Sequence, residues 1–155
     1  MKNLRITLTD ESRAVRCNRR KLLRLVRAVL HDQMPNAIVD VAIVGSRRMA
    51  ALNRRFLRRR GVTDVISFNL GLVPKKKKGS GTFYFSSLGQ IVVCADAARR
   101  EARRRGIRAE DEMALYVAHG ALHRLGETDY DPKARRRMRR LAAAALVKGG
   151  YPDVT

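Results

Sequence analysis

His119 and His123 stand four residues apart in HGALHRLGETD (residues 119–129), inside a stretch whose apolar spacing predicts a helix. Residues at i and i+4 share one helix face with Cβ atoms about 5–6 Å apart, so two imidazoles can reach one metal ion at about 2.0–2.1 Å each. Gly126 offers a helix stop three residues past His123, and Asp129 follows three further on. Two nitrogens and one carboxylate leave a fourth position open for water, which is the composition of a catalytic zinc site. The expectation is one zinc ion at the C-terminal end of this helix.

The spacing H-x-x-x-H-x-x-G-x-x-D is that of the metzincin peptidases, with Asp for their third His. Such enzymes need a glutamate directly after the first His as general base, and here that position is Gly120, so peptide hydrolysis is disfavoured. Glu112, seven residues before His119 on the same predicted face, is read as a carboxylate that orients a ligand or handles a proton, or else as a structural partner for an arginine. Ser67 ends a predicted strand and is read as capping it in preference to approaching the pocket, and His31 is read as a solvated side chain.

Charge narrows the partners. Lys and Arg number 34 against 14 Asp and Glu, a formal net charge of +20, which attracts polyanions over the whole surface. Most of the excess is arginine, whose planar fork grips phosphate at two points. Nucleic acid is the favoured partner; arginine-rich codon usage and attraction to anionic lipid are the plainer alternatives. Aromatic residues make up only 5%, which argues against an extended stacking platform and for binding through phosphates. The arginine clusters at 99–105 and 135–140 read as solvated helix faces that include some RNA contacts.

These residues must be positioned by a single domain over 1–155, the size at which one core suffices. Asn3–Thr9, Ala37–Val44, Thr63–Phe68 and Leu88–Val93 read as strands. Helices are predicted over 18–33 with Asn18 as N-cap, from Ser46 to a stop at Gly61, over 96–105, over 109–125 and over 132–148 with Pro132 in the first turn. The fold class is α/β (α+β): a mixed central sheet of about four strands covered by about five helices. Residues 71–87, with Pro74, Lys75–Lys78 and several glycines and serines, read as a long flexible surface loop or flap that meets polyanions or solubilises the tip. Cys17 and Cys94 form no C-x-x-C motif, no apolar leader opens the chain, and no run approaches the ~20 residues of a membrane span. A cytoplasmic protein with no membrane association and no small-molecule cofactor is expected.

The segment His119–Asp131 resembles the zinc signature of the YbeY family of bacterial endoribonucleases and rRNA maturation factors, roughly H-G-x-L-H-L-x-G-Y-D-H. His119, Gly120, Leu122, His123 and Gly126 match in place, and Asp129 holds the third-ligand position. TDVISF (63–68) and LGQIVV (88–93) are similar to the family's T-[DN]-V-L-S-F and L-G-D-I-V-I strands, and Met49 with Leu52-Asn53 falls on its L-N helix. The resemblance therefore spans residues 37 to 148. Asp129 replaces a histidine, with Asp131 or Glu127 as competitors for the ligand role; Arg124 replaces a buried leucine and Gln90 an acidic residue. The family's arginine after N-x-x-Y falls on Leu57, with Arg58 or Arg59 as substitutes and Arg59 the choice.

The resemblance implies a zinc-dependent endoribonuclease acting on single-stranded regions of ribosomal RNA, with the small ribosomal subunit as its setting. His119, His123 and Asp129 would hold the metal, and Arg59 and Glu112 would assist the chemistry. The alternative is a non-catalytic ribosome-assembly or RNA-binding factor whose zinc is structural.

Overall fold

Alternation sets the first strand, β1 (Arg5–Asp10), in which Leu8 is buried between exposed Thr7 and Thr9. Helix α1 (Arg19–Leu30) starts where Asn18 accepts a hydrogen bond from the Lys21 backbone nitrogen at 3.1 Å, and it buries Leu22, Leu25, Val26 and Leu30. Then follow β2 (Ile38–Val44), α2 (Ser46–Leu57), β3 (Val65–Lys76), β4 (Phe83–Cys94), α3 (Ala95–Arg105), α4 (Ala109–Arg124) and α5 (Pro132–Gly149). The structure is a computed structural model that describes residues 3–81 and 83–155. Among the described residues the four strands form one mixed sheet in the order β1-β2-β4-β3, with β1, β2 and β4 parallel and β3 antiparallel to β4. The expected α/β architecture, with a four-stranded mixed sheet and five helices in one domain, is the one observed.

The two faces of the sheet differ. The register aligns Leu8, Val41 and Ile91, all buried, on the face covered by α4. One residue back, Thr7, Asp40 and Gln90 form a polar row on the other face: the Thr7 hydroxyl donates to Asp40 at 2.7 Å and the Gln90 amide donates to its second oxygen at 2.9 Å. Phe68 pairs with Gln90 in register and meets the Phe56 ring of α2 edge-on at 5.2 Å, so α2 covers one end of this polar face. Its N-terminus is held from α3, where Asp96 accepts from the Ser46 backbone nitrogen at 2.7 Å.

Helix α4 is the centrepiece. It is apolar nearly all round, Met113 to Ala118 being buried without interruption, as expected of a helix enclosed between a sheet and other helices. It packs on β3, β4, α1, α3 and α5. The closest approach is at Gly120: a Cβ there would stand 2.4 Å from Ile91 Cγ2 and 2.9 Å from Val65 Cγ2. The Ser67 hydroxyl donates to the Gly120 carbonyl at 3.2 Å across the same junction.

Two expectations need correction. Most of residues 71–87 is strand rather than loop: β3 and β4 run on as a two-stranded ribbon, pairing from Leu72↔Ser87 to Lys76↔Phe83 beyond an irregularity between Asn69 and Leu72, with a turn from Lys77 to Ser80. The proline, lysines and glycines of this stretch are loop formers locally, but cross-strand pairing overrides them, and β3 is an edge strand, where proline is tolerated. Helix α2 ends before Gly61, at Arg58, whose φ of 53° places a non-glycine residue in the left-handed region. No helix among the described residues is long and apolar enough to cross a membrane.

Candidate metal centre and its flanking groove

The end of α4 is shaped by Gly126. Its φ of 88° is a left-handed turn that glycine adopts without penalty, and Glu127 then folds back so that its backbone nitrogen donates to the Leu122 carbonyl at 3.1 Å. The same turn brings the Glu127 carbonyl oxygen 2.9 Å from His123 Nδ1. A carbonyl can only accept, so Nδ1 carries the proton and Nε2 keeps its lone pair, the usual arrangement for a metal-binding imidazole. The Glu127 carboxylate is gripped from α5 by Arg137, through Nε at 2.8 Å and Nη2 at 2.9 Å. Asp131 caps α5, accepting from the Ala134 backbone nitrogen at 2.8 Å. Its carboxylate therefore has a structural use, which weakens its candidacy as a ligand.

His119 is partly buried one turn earlier. Burial lowers its pKa from the ordinary imidazole value and the neighbouring His123 ring adds to this, while the carboxylates of Asp64 and Asp129 act in the opposite sense. His119 and Asp129 border one hollow, of about 340 Å³, and His123 borders a neighbouring groove of about 650 Å³. Among the described residues no three His, Cys, Asp or Glu side chains are gathered as a preformed metal site. The donor chemistry thus fits zinc at the two histidines, whereas Asp129, which is exposed, is not drawn in with them.

The groove beside His123 is walled by the end of α2, by β3 and by the end of α4. Arg59 reaches it from the turn after α2, so the structure brings Arg59 and His123 to one groove. Glu112 is placed elsewhere. Its side chain is 3% exposed and accepts from Arg105 Nη1 at 2.5 Å, and Arg105 also donates to the Val154 carbonyl. It borders neither of the two hollows. His31 bonds its neighbour Asp32 at 3.1 Å, away from both histidines of α4.

Two residues of the site carry no motif of their own. Asp64, in TDVISF, is a strand residue by pattern, yet its charge acts on His119. Arg124 is a departure from the family pattern, yet it lies in the groove next to His123. The signal in each case is an ionisable residue at the mouth of a strand or beside a candidate ligand.

The fold, the paired histidines and the arginine-flanked groove define a class that comparison with known proteins makes specific. The profile of the family described as endoribonuclease YbeY matches residues 6–149. Curated proteins named endoribonuclease YbeY include one from Thermobifida fusca, 34% identical over 135 residues and covering 86% of each chain. Another, from Anaeromyxobacter, is 38% identical over 125 residues, covering 74% of this chain and 61% of the relative; one from Myxococcus xanthus is 36% identical over 112 residues, covering 72% and 36%. The chain therefore spans between about a third and two thirds of the length of these last two. The solution structure of TM1509 from Thermotoga maritima shares the fold, with a TM-score of 0.57 at 18% identity, over 92% of this chain and 90% of that one. The chain belongs to the YbeY family.

Proposed function

We propose that this protein is a zinc-dependent, single-strand-specific endoribonuclease that acts in the cytoplasm in ribosomal RNA maturation, with the small ribosomal subunit as its context. The observation that carries the reading is His123, held by the Glu127 carbonyl with Nε2 free, at the edge of a groove that Arg59 also borders. The family membership and the net charge of +20 support an RNA substrate. His119, His123 and Asp129 are the residues that would hold zinc. A zinc ion there supplies a more acidic bound water and a Lewis acid toward a phosphoryl oxygen. Arg59 is placed to hold phosphate and offset its charge as the bond breaks. Glu112, buried against Arg105, serves the architecture of α4 in this reading. A peptidase is disfavoured again by packing, since no glutamate side chain fits at Gly120.

Zinc content and cleavage of single-stranded ribosomal RNA should be measured together in the wild type and in His123→Ala. One zinc per chain with cleavage, both lost in the variant, is expected; full cleavage by a zinc-free variant would overturn the mechanism. The arginine surplus, with Leu57 at the position of the family's arginine, favours a second reading, an RNA-binding assembly factor whose zinc is structural. On that reading zinc removal lowers the melting temperature, leaves RNA affinity intact, and no RNA is cut.

A further inference from the structure

Among the described residues four arginines are ion-paired with an acid. Arg104 pairs with Glu101, Arg105 with Glu112, Arg108 with Glu110 and Arg137 with Glu127. Arg124 does not. Among the described residues its side chain has one hydrogen bond, from Nη2 to the Ser87 hydroxyl at 2.8 Å, and its Nε is buried with no partner at all. The guanidinium packs against β4 at Gly89, where a Cβ would stand 2.4 Å from Cζ and from Nε. A cation taken partly out of water without an opposite charge is costly to keep, so the missing anion is the question the site poses.

The position answers it. Arg124 borders the groove that holds His123 and Arg59, together with the hydroxyl and amide residues Ser67, Thr128 and Asn69. We propose that this groove is a phosphodiester-binding site in which Arg124 is the anchoring cation, and that its ligand is the backbone of single-stranded RNA. This rests on the RNA-directed reading above and names the residue that seats the substrate. A guanidinium grips a phosphate by two parallel hydrogen bonds, and one restrained by β4 loses little freedom in doing so. Tyr130, 88% exposed at the groove's rim, gives an unpaired base a ring to stack on, which favours a single strand over free phosphate or a lipid headgroup.

The test uses the full chain with a short single-stranded 2′-O-methyl RNA, following affinity by fluorescence anisotropy over a range of salt. Arg124→Leu is expected to weaken binding about tenfold and to lower the slope of log affinity against log salt by ~0.7, the loss of one phosphate contact. Arg124→Lys keeps the charge without the fork, so it should retain the slope and lose several-fold in affinity. Arg20→Leu, on an exposed part of α1, should change affinity less than twofold. Wild-type affinity and slope in Arg124→Leu, or an equal loss in Arg20→Leu, would overturn the proposal. Should Arg124→Leu not fold, the Lys variant decides: unchanged affinity would count against the anchor. Binding of inorganic phosphate, followed by 31P line broadening, separates the two readings. If the wild type cuts no RNA but binds phosphate through Arg124, the anion site stands and the nuclease reading falls. If RNA is cut and Arg124→Leu binds it normally, the reverse holds.

Discussion

The ring Nδ1 of His123 lies 2.9 Å from the carbonyl oxygen of Glu127, and the left-handed turn at Gly126 is what brings the two together. Partners that orient a metal-binding imidazole typically account for 10–100-fold in metal affinity. Gly126→Ala strains that turn and displaces the carbonyl without touching either histidine. Zinc affinity, measured by chelator competition, should fall about tenfold. A lower melting temperature with unchanged zinc affinity would mean that the carbonyl does not orient the ring.

Asp129 and Asp131 are two residues apart and should separate cleanly. Asp131 caps α5, so Asp131→Ala should cost about 1 kcal/mol, or about 2–4 °C in melting temperature, and leave zinc binding alone. Asp129→Ala should do the opposite, weakening zinc with little effect on the metal-free protein. Reversal of the two outcomes would move the third ligand to Asp131.

Packing of α4 on the sheet predicts intolerance at Gly120. Alanine there meets Ile91 Cγ2 at 2.4 Å, so Gly120→Ala should destabilise by about 1–3 kcal/mol in a denaturant titration. Ile91→Ala removes the obstructing methyl. In the double variant the cost should be smaller than the sum of the two singles by about 1 kcal/mol. Simple additivity would show that the two residues do not press on each other.

Burial raises the Glu112 carboxyl above its usual 4.5, outweighing the opposite pull of Arg105. A carboxyl with a raised folded pKa binds its proton more tightly folded than unfolded. Its effect therefore favours folding at low pH and is lost as pH rises through the folded value. Compared with Glu112→Gln, the wild type should lose stability as pH climbs above 4.5, as read from melting curves at stepped pH. Glu112→Ala leaves Arg105 without its acid and should cost about 3–5 kcal/mol. Equal pH profiles for wild type and Glu112→Gln would remove burial as the dominant influence.

The sequence was most legible where one residue does one local job. Asn18 and Pro132 mark helix starts within a residue of where they fall, and the β-branched runs of β2 and β4 place the sheet. The pair His119–His123 was legible because helical spacing alone fixes it. What could not be read depends on partners distant in sequence. Lys75 and Lys76 sit in a ribbon because β4 pairs with β3, and Glu112 is claimed by an arginine of α3. Arg58 ends α2 in a conformation that its side chain does not advertise. Arg124 gained its meaning only once Gly89 was found beneath it.

The ribbon has a consequence for how the protein behaves in crowded solution. β3 is one of the two outermost strands of the sheet, and an uncovered edge invites another chain to continue the hydrogen bonding. Pro74 has no N–H to offer, and lysines follow it at once, so an approaching copy would meet a gap in the ladder and a repelling charge together. This edge of the sheet thus ends itself, and concentrated samples should resist the stacking through β3 that leads to fibrils.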